Sequence, residues 1–141
     1  MNISVILPSL NPNEKMPLVV KGLIDEGFTD IIVVNDGSNE AHMEPFRTLE
    51  KFPQVTVLTH EVNKGKGRGL KTAYEYCIAN RPDIDGVVTV DGDGQHLPGD
   101  IKKCCMALED NPGKVILGCR NFSGGRNCSR AFISYELRRS L

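Results

Sequence analysis

Apolar residues follow two alternating patterns along the chain: short continuous runs bounded by turn residues, and longer stretches with apolar positions three and four apart. Ile3 to Leu7 is the first run and predicts a strand, ended by Pro8 and followed by a loop from Pro8 to Asn13. Asn13 then stands as a helix N-cap ahead of Met16, Val19, Val20, Leu23 and Ile24, with Gly27 as the stop signal. Ile31 to Val34 is continuous and β-branched, the pattern of an interior parallel strand covered on both faces. Glu40 to Phe52 is weakly helical, with Phe46 and Leu49 inward and Pro45 limiting its regularity.

Val55 to Leu58 predicts the third strand, and Lys64 to Gly69 a glycine-rich basic turn before a helix whose stripe is Leu70, Ala73, Tyr74, Cys77 and Ile78. Val87 to Val90 is the fourth strand and runs straight into Asp91-Gly92-Asp93-Gly94-Gln95-His96. Ile101, Cys104, Cys105 and Leu108 repeat the helical stripe up to Asn111-Pro112-Gly113, and Val115 to Cys119 is the fifth strand, with Arg120 at its end. Strands alternating with helices imply a doubly wound, mostly parallel sheet, because parallel neighbours need long right-handed crossovers.

Composition narrows the classes. A chain of 141 residues with 40% hydrophobic content suits one domain, and at this length about 68 to 70% of the extended-chain surface is buried. The formal net charge of -1 supplies no global field to recruit nucleic acid. No apolar run approaches the roughly 20 residues that span a bilayer, and Met1 leads directly into the first strand rather than into a signal segment, so the expected location is cytoplasmic. The five cysteines form no CxxC pair and are expected as small core residues in a reducing compartment.

Ligands of open α/β sheets bind outside the carboxyl ends of the strands, and there the chain gathers its acids and bases. The presumed strands end in Pro8, Asp36, the loop from His60 to Arg68, Asp91 with Asp93, and Arg120. Two carboxylates at i and i+2 in an extended segment can point the same way. They form an open site for Mg²⁺ or Mn²⁺, hard cations that take one or two protein carboxylates plus phosphate oxygens and water. Lys64, Lys66, Arg68 or Arg120 would add donors to the same phosphates.

Blander readings stand beside this one. Asp-Gly-Asp-Gly is good turn chemistry, the Lys64 to Gly69 stretch matches neither common phosphate-loop pattern and reads equally as a solvated basic turn, and Asp36 and Arg120 serve as ordinary turn and surface residues. An EF-hand counted from Asp91 would need a glutamate where Lys102 stands. A haloacid-dehalogenase-type phosphatase also places DxDG after a strand, but expects Thr or Val at Gln95.

Pro8-Ser9-Leu10-Asn11-Pro12-Asn13-Glu14 after the first strand, Asn35-Asp36-Gly37-Ser38 after the second, Asn63 to Ala73 and Asp91 to His96 together resemble family 2 glycosyltransferases. The resemblance is to the polyprenyl- or dolichol-phosphate sugar transferases and spans about residues 3 to 125. It implies a GT-A, Rossmann-like fold over residues 1–125 that lacks the C-terminal acceptor half, since family catalytic domains continue well beyond position 141. It implies a metal-dependent transferase that moves a sugar from a UDP- or GDP-linked donor to an acceptor such as polyprenyl phosphate.

By the same resemblance, Pro8, Leu10 and Glu14 line the base pocket, Asp36 bonds the base, and Lys64 approaches the nucleotide. Asp91, Asp93 and Gln95 hold the metal, with Asp93 and Gln95 as its direct ligands, Arg120 faces phosphate, and His96 orients its loop. A catalytically silent nucleotide-sugar-binding module is the alternative of another class. The basic tail, residues 126–141, carries four arginines against one glutamate and places Ile133, Leu137 and Leu141 at helical spacing. It is expected as a helix that packs on the domain or frays, in preference to lying on the cytoplasmic membrane face near a lipid acceptor.

Overall fold

The structure is a computed structural model, and it describes residues 2–119 and the backbone of residues 132–136. Six strands form one sheet in the order β3-β2-β1-β4-β6-β5: β1 Ile3–Ser9, β2 Ile31–Asp36, β3 Val55–His60, β4 Gly86–Thr89, β5 Val115–Gly118 and β6 Phe132–Glu136. The first four pair in parallel, while β6 runs antiparallel between β4 and β5. The predicted doubly wound, mostly parallel sheet is thus observed. The expected helical tail is corrected, because five of its residues form β6 and fill a sheet position that needs hydrogen-bond partners on both sides.

β1 continues through Pro8 instead of ending there. The reason is register. β4 pairs with β1 only as far as Ile6 opposite Thr89, and Val5 already donates toward β2, so the imide nitrogen of Pro8 faces the side on which no ladder bond remains. β2 is buried along its whole length, as its β-branched run predicts.

The helices are α1 Lys15–Asp25, α2 Glu44–Leu49, α3 Lys66–Asn80 and α4 Pro98–Asp110. One face of the sheet presents Val5, Leu7, Ile31, Val33, Val88 and Val90 to a core shared with Met16, Val20, Phe46 and Ile101, so α1, α2 and α4 cover it. The opposite face presents Ile6, Ile32, Val34 and Val87 to Ala73 and Cys77 of α3. Odd and even positions of each strand serve the two cores, the expected outcome of strand alternation. Pro45 sits in the first turn of α2, where a missing N–H costs nothing, so it starts that helix rather than disturbing it. Lys66 to Gly69 form the first turn of α3 rather than a turn before it, and Ile78, expected inside, is 54% exposed because the buried stripe is centred on Ala73 and Cys77.

Candidate active site at the carboxyl edge of the sheet

The loops leaving β1, β2, β3 and β4 surround a cleft of about 530 Å³. Pro8, Leu10, Asp36, Lys66, Asp91 and Asp93 all line it, together with Asn11, Asn13, Lys15 and Asn63. The acids from β2 and β4 therefore share one rim, as strand ends in a parallel sheet dictate.

Asn35-Asp36-Gly37-Ser38 ties this rim together. Asn35 Oδ1 accepts the Ser38 amide at 3.0 Å and turns the chain. The Ser38 hydroxyl accepts the Asn11 amide at 2.8 Å, and Asn11 Oδ1 accepts the Asn39 amide at 3.0 Å, so the β1 and β2 loops clasp each other reciprocally. Gly37 has φ +73, and a Cβ there would stand 2.3 Å from the backbone nitrogen of Asn63. Only glycine allows the β2 and β3 loops this approach.

Asp36 is buried, and its carboxylate fastens the β3 loop at both ends. Oδ1 accepts His60 Nδ1–H at 2.7 Å and the Lys64 amide at 2.9 Å, and Oδ2 accepts the Gly65 amide at 2.9 Å. Burial by itself raises the carboxyl, but the His60 bond and the two amides outweigh it and hold Asp36 below its ordinary value. Three of about four acceptor positions on this carboxylate are filled by protein.

On the β4 side of the same rim, Asp91 is met by Lys66, whose Nζ lies 2.6 Å from Oδ1. The Asp91 amide donates to Nδ1 of buried His96 at 3.1 Å, so His96 orients this loop. Asp93 is exposed and Oδ1 accepts the Gln95 amide at 3.0 Å, closing a tight turn over Gly94. Gly92 brings the turn down onto Leu7 and Met16, where a Cβ would meet Leu7 at 3.2 Å. Two carboxylates facing one cleft, one already carrying a cationic partner, fit a hard divalent cation that leaves positions open for water and phosphate. No group of three His, Cys, Asp or Glu side chains converges among the described residues.

Six of the site residues singled out from the sequence, Pro8, Leu10, Asp36, Lys66, Asp91 and Asp93, come together in the cleft. Glu14, Lys64 and Gln95 are exposed and not among its lining residues. Glu14 is the N-cap of α1, and Lys64 contributes its amide to Asp36. Of the basic stretch from Lys64 to Gly69, Lys66 is the lysine that lines the cleft, because the start of α3 turns it toward Asp91. Arg120 lies outside the described residues. His60 was missed as a partner of Asp36, although each stands two residues beyond a four-residue β-prone run and they pair in register.

A family model described as Glycosyl transferase family 2 matches residues 4–132. An uncharacterized protein of Methanocaldococcus jannaschii is 35% identical over 118 residues, covering 84% of this chain and 46% of the relative. The UDP-N-acetylglucosamine–dolichyl-phosphate N-acetylglucosaminyltransferase of Methanococcus voltae is 31% identical over 135 residues, covering 84% of this chain and 51% of the relative. The crystal structure of S. aureus TarS 1-349 in complex with UDP-GlcNAc superposes with a TM-score of 0.62 at 20% identity, covering 91% of this chain and 37% of that one. The shared fold is the GT-A arrangement. The chain spans about half the length of the curated relatives it matches. With the family model covering nearly the whole sheet and every loop around the cleft, the chain belongs to glycosyl transferase family 2.

Proposed function

We propose that this chain binds a UDP-linked sugar in the β1 to β4 cleft and transfers the sugar, with a divalent cation, to an anionic lipid phosphate of the polyprenyl class. The observation that carries the reading is the convergence of Asp36, Lys66, Asp91 and Asp93 on one cleft at the carboxyl edge. UDP is favoured over GDP because the M. voltae relative is named for a UDP-sugar and TarS was solved with one. The phosphatase alternative falls with the family membership.

Pro8 and Leu10 form the apolar floor for the base, and Asp36 holds the wall beside it while keeping about one lone pair for a base N–H. Asp91 and Asp93 would hold Mg²⁺ or Mn²⁺, with Gln95 as a further oxygen donor. The cation supplies charge neutralisation to the departing diphosphate. Lys66 adds a mobile ammonium to the same oxygens, and Arg120 is assigned a phosphate contact by the family resemblance alone.

A lipid phosphate acceptor suits the acids present. It is already an anionic nucleophile and needs positioning rather than a base. Among the described lining residues the carboxylates are Asp36, tied to the β3 loop, and the pair assigned to the cation. Among the described residues no helix is long and apolar enough to cross a membrane, and the acceptor would be met at the cytoplasmic membrane surface. The alternative of another class is a donor-binding module without turnover.

Calorimetric titration with UDP-GlcNAc, with and without Mn²⁺, tests the reading. Asp93→Ala should weaken Mn²⁺-dependent affinity by about tenfold or more, as loss of a charged contact does. Its fold should persist, because Asp93 is exposed. Unchanged affinity would remove Asp93 from the site, and binding without sugar transfer to polyprenyl phosphate would select the module.

A further inference from the structure

Behind the wall of the cleft, three side chains from three elements form a continuous chain of hydrogen bonds. Asp36 of β2 accepts His60 Nδ1 at 2.7 Å, and His60 Nε2 lies 2.8 Å from Oγ1 of Thr72 on α3. His60 is 8% exposed, and neither His60 nor Thr72 is among the residues that line the cleft. We propose that His60 and Thr72 are positioning residues for the donor site, acting through Asp36 to hold the Lys64–Gly65 wall and the start of α3. This inference rests on the donor reading of the cleft.

Asp36 accepts from Nδ1–H, and Nε2 is left to the Thr72 hydroxyl, a group that can donate or accept. The circuit then closes on itself. Asp36 grips the β3 loop where it begins, at His60, and where it ends, at the Lys64 and Gly65 amides, while Thr72 ties the same histidine to the helix that the loop enters. Gly37 packs against the middle of that loop at Val62 and Asn63. Asn63, Gly65 and Lys66, which face the cleft, are thereby held before any donor arrives, which lowers the ordering cost of binding. A histidine merely satisfied in the core would need a partner for each nitrogen, but those partners would not have to converge on the wall of a ligand cleft.

Thr72→Val removes the hydroxyl at constant shape, and Thr72→Ser keeps it. For Thr72→Val, amide hydrogen exchange at Lys64 and Gly65 should rise by about fivefold, the weight of one hydrogen bond, with β1 and β2 amides unchanged. Affinity for UDP with Mn²⁺ should fall by a similar factor, and Thr72→Ser should restore both. His60→Asn, which retains a donor for Asp36 but not the reach to Thr72, should match Thr72→Val. Wild-type exchange at Gly65 in Thr72→Val, or a Thr72→Ser variant as impaired as Thr72→Val, would overturn the assignment. A wild-type chain with no affinity for UDP defeats the donor reading instead, and the exchange data still decide whether Thr72 holds the wall.

Discussion

Lys66 Nζ and Asp91 Oδ1 meet at 2.6 Å across the cleft, joining the first turn of α3 to the loop that leaves β4. On the proposed function, a cation held by Asp91 would compete with the Lys66 ammonium for the same oxygen, and Lys66 would then be freed for phosphate. Lys66→Met should therefore tighten Mn²⁺ binding to the empty protein while weakening UDP binding by about tenfold. The Lys66 side chain is 63% exposed, so the pair contributes at most about 1 kcal/mol to stability and the melting temperature should hardly move. Parallel titrations of Mn²⁺ alone and of UDP check both signs, and a loss of Mn²⁺ affinity would contradict the competition.

Gly37→Ala should be among the more damaging small substitutions. It places a Cβ 2.3 Å from the Asn63 nitrogen at a φ of +73, a combination of left-handed strain and overpacking that costs about 2–4 kcal/mol. Urea unfolding measures it. A loss below about 1 kcal/mol would show that the β2 and β3 loops separate easily.

Asp36 couples the cleft wall to acid stability. Its carboxyl is held below the ordinary aspartate value of 3.8, so the bonded anion stabilises the fold above that pH and the stabilisation is lost as pH falls through the lower folded value. Asp36→Asn should be less stable than wild type near neutral pH, and the gap should narrow as the pH falls below about 4. Urea midpoints across that range test the sign, and a gap that widens toward acid would reverse it.

The described cysteines divide by burial. Cys77, Cys104 and Cys105 lie inside, and burial raises all three thiols, Cys105 to about 12, whereas Cys119 is exposed. At mildly alkaline pH, Cys119 should react with a disulfide reagent about a hundredfold faster than Cys105, with mass spectrometry locating the adduct. Equal rates would mean that α4 opens readily.

Much of this molecule is written in local patterns. β-branched runs such as Ile31 to Val34, the helical stripes of α1 and α4, and acids placed just past a strand were legible because burial on a two-faced sheet demands them. The cleft residues Pro8, Asp36, Asp91 and Asp93 followed from position alone, since parallel strands deliver their carboxyl ends to one edge.

Partners across the chain were decided only by tertiary structure. That Lys66 rather than Lys64 enters the cleft depends on where α3 begins. That Asp36 is occupied by His60, Lys64 and Gly65 depends on β2 and β3 lying in register, and that residues 132–136 form a strand depends on a vacant place between β4 and β5. Periodicity records which face of an element is buried. Hydrogen-bond partners tens of residues apart are chosen only when the sheet has set the distances.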